Sequence, residues 1–298
     1  MVNRDNKFQI VGCQYKEEEP VIYQKKKILH KPPILSIIIL AIIVIGCLGA
    51  KLFITQVPSH MYLDHISNAP NRQFFFGTDN LGRDIFSMIW YGGRISLFIG
   101  IIATTISTII AIVYGTISGT TVTWIDNMMM RLTEILLSLP NILMIIFVQA
   151  IMGKQTVMSI ALTIGITSWM SMAKIIRTEV RQIRNSGYVM ASRCMGGSFL
   201  YILRKHLAPN FIAAIMFMIV MNISMAIAAE STLSFLGLGL PTDIISWGSL
   251  LSLAPNALLT KEWWIILIPG LFLIVTLLCI TNIGNYIRSE ANKKQSNL

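Results

Sequence analysis

The sequence predicts an all-α membrane protein with about six transmembrane helices. Hydrophobic residues make up 54% of the 298 residues and charged residues only 13%, a balance that does not suit a water-soluble domain of this length. The apolar residues also gather into runs close to the roughly 20 residues that a helix needs to cross about 30 Å of hydrocarbon. The runs that fit this length are residues 34–54, 95–118, 132–152, 157–172, 211–229 and 264–283.

The first predicted span follows a long charged tail, residues 1–33. A cleaved signal peptide would have a shorter apolar stretch nearer the N-terminus, so residues 34–54 are expected to remain as the first transmembrane helix. Pro140 and Pro269 interrupt the third and sixth spans. Transmembrane helices tolerate proline when neighbouring groups satisfy the freed backbone. A second polar tail, residues 285–298, follows the last span.

Basic residues are distributed unequally between the loops on the two sides of the membrane. With a cytoplasmic N-terminus, the inner segments hold eighteen Lys and Arg residues and the outer loops five. Lys and Arg are retained on the cytoplasmic side of short loops, so both termini are expected to be cytoplasmic. The net charge of +10 then reflects topology and contact with anionic lipid headgroups. Without a basic and aromatic platform, it does not indicate nucleic-acid binding.

Motifs that carry catalysis or hold a cofactor are missing from the sequence. There is no GxxxxGK[ST] phosphate-binding loop and no GxSxG nucleophile turn. The four Cys residues are far apart without a CxxC pattern, and the four His residues form no pattern of metal ligands. We therefore expect no catalytic residue, no metal and no cofactor in this chain, and we do not expect it to be an enzyme.

A short basic segment between the fourth and fifth predicted spans is amphipathic. Residues 188–195 suit a helix, which Gly196 and Gly197 break. Ser198 can cap a second helix, and Pro209 is expected to end that helix before the fifth span starts. The pattern predicts a compact pair of helices, joined by a turn, at the membrane surface.

One face of the first helix in this pair carries small residues. Val189, Ser192 and Gly196 lie three and four positions apart, so they share this face. A partner's groove could close on such a face. The alternative is an ordinary helix that rests on lipid headgroups, with its basic side chains extending into the polar region.

This segment resembles the hallmark of the membrane subunits of bacterial ATP-binding-cassette importers. The hallmark is Glu-Ala-Ala, three residues, Gly, and nine residues before Ile-x-Leu-Pro. Gly196 and Pro209 occupy the Gly and Pro positions, and Ala191 occupies the first Ala position. The sequence departs from the pattern at Met190, Ser192, His206 and Ala208. The missing Glu leaves open whether a charged contact is made with the ATPase.

Three longer runs resemble a narrower group, the second permease of dipeptide, oligopeptide and nickel importers. These runs are FGTDNLGRDIFSMIWYGGRISL at 76–97, MMRLTEILLSLP at 129–140, and AESTLSFLGLGLP at 229–241 with Ser246-Trp247-Gly248 after it. With the Tyr188-Val189 and Pro209-Asn210 flanks, the matches span residues 76–248. The permease core is accordingly expected at 76–284.

The resemblance implies a type I importer permease fold and half of a channel in the cytoplasmic membrane of a bacterial cell. The implied partners are a homologous second permease, two cytoplasmic ATP-binding subunits that use the ATP, and an extracytoplasmic solute-binding protein. Motion of the ATP-binding subunits would pass through the helix pair into the fourth and fifth helices. It would turn the cavity between the two permeases from outward-facing to inward-facing. The residues expected to couple to the ATPases are Tyr188, Val189, Met190, Ala191, Ser192, Gly196, Gly197 and Pro209.

Five residues of the outer loop are candidates for docking the solute-binding protein: Gly77, Asp79, Gly82, Arg83 and Asp84. Turns built by Gly and Asx side chains, with a local pair between Arg and a carboxylate, would explain the same residues without any ligand. The sequence leaves both interpretations open.

Glu230 is a candidate for the pathway or its gate, because an ionisable group after an unbroken apolar span indicates a functional site. If the following residues turn back into the membrane, Gly237 and Gly239 would allow close backbone packing around the pathway. Arg131 and Glu134 are three residues apart at the inner end of the third span. They can pair on one helix face and fix that helix end.

The cargo and two rival classes stay open in the sequence. Dipeptides or oligopeptides are the expected cargo, and nickel or a metal chelate is the alternative. A stand-alone secondary carrier or channel is a rival class, but inverted hydropathy repeats and ionisable residues within the spans are not clear. A membrane-embedded enzyme or scaffold is the other rival.

Overall fold

The computed structural model describes residues 32–54, 56–241 and 243–295. No β-strand occurs in these residues, which contain only one isolated bridge, between Thr78 and Asp84. A 3₁₀ turn at Leu63–His65 and a π-helical turn at Leu203–Leu207 accompany the α-helices. The α-helices are α1 (Ile34–Leu48), α2 (Ala50–Phe53), α3 (Ile85–Thr120), α4 (Thr123–Leu137), α5 (Asn141–Met152), α6 (Val157–Thr167), α7 (Met170–Arg184), α8 (Gly187–Cys194), α9 (Phe199–Ile202), α10 (Ala208–Phe235), α11 (Trp247–Leu251), α12 (Ala254–Thr260) and α13 (Trp263–Gln295).

Three of the described helices are long and apolar enough to cross a membrane. They are α3, the Ala214–Phe235 part of α10 and the Trp263–Glu290 part of α13. Two bent pairs, α4 with α5 and α6 with α7, bring the number of candidate spans to five. The helix at the first predicted span, α1, is apolar but has only 15 residues. The predicted all-α membrane fold is confirmed, with three to five candidate spans where the sequence predicts six.

Two predicted spans are not single helices. The third, residues 132–152, is divided at Pro140 into α4 and α5, which are bent by 94°, because proline has no N–H to continue the helix. The fourth, residues 157–172, breaks between α6 and α7 with a bend of 44°. Beyond this break α7 continues to Arg184, so basic residues expected in a loop lie on a helix. Pro269, in contrast, lies inside α13.

Local signals set several helix ends. The carboxylate of Asp84 accepts the backbone N–H of Ser87 at 3.1 Å and caps the start of α3. Thr156 and Ser159 form a capping box at the start of α6. Gly153 ends α5 with φ 68°, a left-handed conformation that glycine adopts without strain. Of the predicted tails, residues 1–31 lie outside the described residues, and residues 285–295 belong to α13.

The central helix is α3, which packs against α6, α7, α10 and α1. A Cβ added to Gly115 would lie 2.6 Å from the carbonyl oxygen of Ala173 on α7. A Cβ on Gly100 would lie 2.7 Å from Ile227 on α10, and a Cβ on Gly165 of α6 would lie 2.8 Å from Ile106. Small residues at helix interfaces let backbones approach closely, which drives association where lipid is as apolar as the side chains.

We expect Gly115→Ala to destabilise the protein by about 1–3 kcal/mol, because the new methyl group collides with backbone on α7. The matched control is Gly270→Ala on α13, where the nearest heavy atom to an added Cβ is 3.8 Å away. Thermal unfolding of the purified chain in detergent measures both. Equal unfolding temperatures for the two variants would contradict the close contact between α3 and α7.

Candidate functional site

The predicted helix pair is present as α8 and α9. The backbone N–H of Tyr201 donates to the Ser198 hydroxyl at 3.3 Å, so Ser198 caps the second helix as predicted. Gly196 has φ 82° and forms the turn, and no heavy atom of the described residues lies within 4 Å of an added Cβ. The N–H of Gly197 donates to the carbonyl of Ser192 at 2.9 Å. The turn therefore needs glycine at position 196 for its left-handed conformation.

The face of α8 that is available to a partner differs from the predicted one. Val189 is fully buried and Ser192 is 6% exposed. Val189 belongs to a hydrophobic cluster with Ile176 and Val180 of α7 and Phe211 of α10. The prediction that a partner closes on Val189 and Ser192 is therefore wrong, because these side chains face the body of this chain. The exposed residues among those described in α8 and the turn are Gly187, Tyr188, Met190, Ala191, Cys194, Met195 and Gly196.

Pro209 does not end the second helix, which corrects the sequence prediction. The chain passes from α9 through the π-helical turn into α10 without leaving helical structure, and Pro209 lies in the first turn of α10. The N–H of Ala208 donates to the carbonyl of Leu203, five residues earlier. A π-turn widens the helix, and it accommodates the backbone carbonyl to which proline cannot donate an N–H. Consequently α9 is continuous with the long helix α10.

The five outer-loop candidates come together in one compact loop. Arg83 Nε donates to Asp79 Oδ2 at 2.8 Å, and the backbone N–H groups of Leu81 and Arg83 donate to Asp79 Oδ1 at 2.9 and 2.8 Å. Gly77 and Gly82 have φ of 76° and 75°. Asp79, Arg83 and Asp84 are all buried. These side chains build the loop, and a role in docking the solute-binding protein stays a prediction that depends on the loop's shape.

Glu230 lies near the C-terminal end of α10 and joins α10 to α3 and to the start of α11. Its carboxylate accepts hydroxyl hydrogen bonds from Ser96 of α3 at 3.1 Å, Ser234 at 3.0 Å and Ser246 at 2.8 Å. Ser96 Oγ in turn accepts the backbone N–H of Trp247 at 3.1 Å, at the start of α11. Glu230 is fully buried. The carboxylate thus fastens α11 to α3 and α10.

The glycines after Glu230 contribute to a tight reversal. Gly237 has φ 75°, and a Cβ on Gly239 would lie 2.2 Å from Ser234 Oγ. The N–H of Leu238 donates to the carbonyl of Leu233 at 2.9 Å. The reversal therefore closes on the end of α10. The participation of Glu230, Gly237 and Gly239 in gating stays a prediction.

A large, open concave cavity lies beside α5, α7 and α10. It has a volume of about 520 Å³ and is formed by the α4–α5 corner, the α6–α7 junction and α10. None of the described side chains that line it is charged. Its polar lining consists of amides and hydroxyls: Asn141, Thr167, Ser168, Ser171, Asn222 and Thr232.

A buried ionic cluster at the far end of α7 was missed by reasoning from the sequence. Asp126 of α4 accepts hydrogen bonds from Arg177 Nε at 2.9 Å, Arg181 Nη1 at 2.7 Å and Ser118 Oγ at 2.6 Å. Arg184 also donates to the carbonyl of Gly119 at 2.9 Å. The cluster joins the end of α3, the start of α4 and the end of α7. Arg177 and Arg181 lie four residues apart on one helix face, and this spacing was the signal of the cluster that the sequence offered. Their partner Asp126 is 51 positions from Arg177 in the sequence.

The predicted pair of Arg131 and Glu134 is confirmed. Arg131 Nη1 lies 3.5 Å from Glu134 Oε2, and Lys174 Nζ of α7 lies 3.8 Å from Glu134 Oε1. Arg131, Glu134 and Lys174 are all substantially exposed, at 82%, 48% and 41% of their side chains. With Asn127, Met130 and Arg177 they line a second cavity of about 360 Å³ between α4 and α7.

A helical membrane bundle with a large open cavity, and a surface helix pair fixed to cavity-forming helices, has the architecture of a transport subunit. Comparison with known proteins agrees. Residues 111–292 match the family described as binding-protein-dependent transport system inner membrane component. Since this match covers more than half of the 298 residues, the chain belongs to that family and is a multi-pass membrane permease component.

The similar curated proteins are permeases of peptide transport systems. The chain is 38% identical over 225 residues to the dipeptide transport system permease protein DppC of Bacillus subtilis (strain 168), covering 76% of this chain and 70% of the relative. It is 34% identical over 265 residues to the oligopeptide permease OppC of the same strain, covering 89% and 86%. It is 35% identical over 267 residues to OppC of Haemophilus influenzae, covering 89% and 85%. The resemblance to this group of permeases is confirmed.

We expect Asp126→Asn to lower the free energy of unfolding by about 1–3 kcal/mol, because hydrogen bonds to a buried charged acceptor are lost. The matched control is Glu134→Gln on the same helix, where exposed ion pairs contribute only about 0–1 kcal/mol. Thermal unfolding in detergent compares the two. If Asp126→Asn were no less stable than Glu134→Gln, the ionic cluster would not hold these helix ends together.

Proposed function

We propose that this chain is one of two permeases in an ATP-binding-cassette importer for dipeptides or oligopeptides, and that it forms half of the translocation pathway. A homologous permease supplies the other half, two cytoplasmic subunits bind and hydrolyse ATP, and an extracytoplasmic solute-binding protein delivers the cargo. The chain itself supplies no catalytic residue and binds no cofactor. The assembly lies in the cytoplasmic membrane of a bacterial cell, with both termini of this chain in the cytoplasm.

One observation supports this proposal above the others: the helices that bury α8 also form the large cavity. Val189 of α8 packs in one cluster with α7 and α10. Met170 and Ser171 of α7, and Asn222 of α10, line the cavity. A displacement of α8 by a partner therefore reaches the cavity walls directly. Coupling of this kind needs two discrete states that the nucleotide on the partner biases.

The position of the basic residues supports a cytoplasmic location for α8 and α9. Arg177, Arg181 and Arg184 lie on α7 just before α8, and Lys205 lies just after α9. Lys and Arg near the ends of spans favour the cytoplasmic side. The exposed surface of α8 and the turn, from Tyr188 to Met195, then faces the ATPases.

The names of the similar proteins favour peptides over nickel as the cargo. DppC is named for dipeptides and OppC for oligopeptides. The amide and hydroxyl groups in the cavity can donate to and accept from a peptide backbone. An uncharged lining of this kind suits cargo with varied side chains.

The proposal is tested by purifying the tagged chain from its native membrane with everything that binds to it. Recovery of a second permease and two ATPases, with ATP hydrolysis stimulated by the peptide-loaded binding protein, is the expected result. Titration of the binding protein with peptides and with nickel chelates then identifies the cargo. Recovery of the folded chain alone, without ATPase activity, would overturn the importer assembly and favour a stand-alone carrier.

We expect Gly196→Glu to uncouple the importer. The left-handed backbone at φ 82° disfavours a side chain by about 1–2 kcal/mol, and the carboxylate would lie on the surface that faces the ATPases. Transport and stimulated ATP hydrolysis should both fall while the chain still inserts into the membrane. Proteoliposome transport and ATPase assays on the purified complex measure this.

Two further variants serve as controls for this prediction. Gly153 also has a left-handed backbone with no described atom within 4 Å of an added Cβ, but it ends α5 far from α8 in the sequence. Gly153→Glu therefore tests the same change without the partner surface, and it should leave coupling intact. Gly196→Asn tests the backbone alone, since Asn tolerates this conformation. Full stimulated hydrolysis in Gly196→Glu would contradict the coupling role of this turn.

A further inference from the structure

The two cavities follow one another along the groove between α4 and α7. Leu137 and Ser171 line the large cavity, and Glu134 and Lys174 line the smaller one. On each helix the two residues are three positions apart, so they lie on one helix face within a single turn. The smaller cavity lies on the side of α7 that leads to α8. In the proposed orientation it is therefore the inner mouth of the pathway.

Of these two cavities, only the inner mouth has charged side chains among the described residues. The large cavity has no described charged lining residue, whereas the smaller one has Arg131, Glu134, Lys174 and Arg177. Arg177 is held by the buried Asp126. The two remaining cations, Arg131 and Lys174, share the single carboxylate of Glu134. The mouth thus has more positive than negative charge and attracts an anion.

Arg131 and Lys174 are held loosely enough to change partner. Their distances to Glu134 are 3.5 and 3.8 Å, longer than a charge-assisted hydrogen bond. Both side chains are substantially exposed, and exposed pairs of this kind are weak. An incoming carboxylate could replace Glu134 without breaking a strong interaction. Asp126, with its short hydrogen bonds to three donors, could not be displaced in this way.

A peptide has one anion that does not depend on its sequence, the C-terminal carboxylate. Moving a carboxylate through a low-dielectric region is costly unless cations or donors compensate it. The large cavity offers donors to the peptide backbone but no cation. We propose that Arg131 and Lys174 form a subsite that receives the free C-terminal carboxylate of the cargo as it leaves the large cavity. This inference rests on the proposed function and deepens it.

Such a subsite explains why two cations face one carboxylate across two helices. In the empty protein Glu134 neutralises part of the charge and keeps both side chains at the mouth. When the cargo carboxylate arrives, the guanidinium can bind it through two parallel hydrogen bonds while the ammonium acts as a point charge. The same exchange lets Glu134 recapture the cations once the cargo has left.

The test uses the complete complex in proteoliposomes, with ATPases and binding protein. Two cargoes are compared, trialanine and trialanine amide, each supplied at saturating concentration, with occupancy of the binding protein measured by calorimetry. The variant is Arg131→Gln with Lys174→Gln. We expect transport of trialanine to fall about tenfold, the effect of losing roughly 1.4 kcal/mol of charge-assisted contact. Transport of the amide should stay within about twofold of wild type.

Two variants make the test independent of whether the binding protein accepts the amide. Exchanging the charges as Arg131→Lys with Lys174→Arg keeps both cations and should retain most trialanine transport. Arg72→Gln removes an exposed cation from the outer loop and should have no effect. A loss in the exchanged variant equal to that in the double Gln variant would overturn the subsite, because the positive charge would then not be what matters.

Other outcomes also decide the matter. Equal losses for both cargoes would overturn the subsite and assign the cluster to structure, or to an anionic lipid headgroup if the losses disappear in vesicles without anionic lipid. Unchanged trialanine transport in the double Gln variant would overturn it as well. Failure of the wild-type complex to transport either peptide would instead refute the proposed peptide importer, so the two failures are distinguishable.

Discussion

Close contact between α3 and its neighbours is the constraint on which the rest of the structure depends. In hydrocarbon the side chains gain little by leaving lipid for protein, so packing distance and internal hydrogen bonds decide how helices associate. Gly115 and Gly100 place the backbone of α3 within reach of α7 and α10, and Gly165 does the same from α6. These contacts set the positions of the helices that form the large cavity. They also set the surface on which α8 rests, because α8 packs on α7 and α10.

Two buried carboxylates secure the bundle at its two ends by different chemistry. Glu230 is surrounded by serine hydroxyls from α3, α10 and the start of α11. Asp126 is surrounded by guanidinium groups from α7 and by Ser118 of α3. A buried carboxyl group is tolerated only when hydrogen bonds compensate it, and both sites satisfy this condition. The polar groups with the strongest interactions are thus at the ends, while the cavity between them has an uncharged lining.

Local signals were sufficient to predict part of the fold and of the site. Apolar runs identified the helical segments, Ser198 was recognised as a cap, and Gly196 as a turn, since each depends on residues within one or two turns. The same holds for the pair of Arg131 and Glu134. The break at Pro140 was noticed in the sequence, but not the bend of 94°, because a bend depends on what the two halves pack against.

Long-range features could not be predicted in the same way. Helical spacing showed that Val189 and Ser192 share a face, but not whether that face meets a partner or the chain's own core. Only the folded cluster with α7 and α10 decides this. Asp126 and Arg177 are 51 positions apart, and no local pattern relates them. Pro209 was expected to end a helix because proline usually does, whereas the π-turn before it allows α10 to continue.

The orientation of α8 changes how the departure from the family hallmark is understood. Met190 occupies the position of the hallmark Glu and is 57% exposed, on the same exposed surface as Tyr188 and Met195. In the proposed assembly this surface meets the ATPase through apolar and aromatic groups in place of a carboxylate. Methionine adapts its shape to irregular surfaces, so the contact there depends on burial more than on charge. Because α9 continues into α10 without a break, such a contact needs no hinge at Pro209 to move the cavity wall.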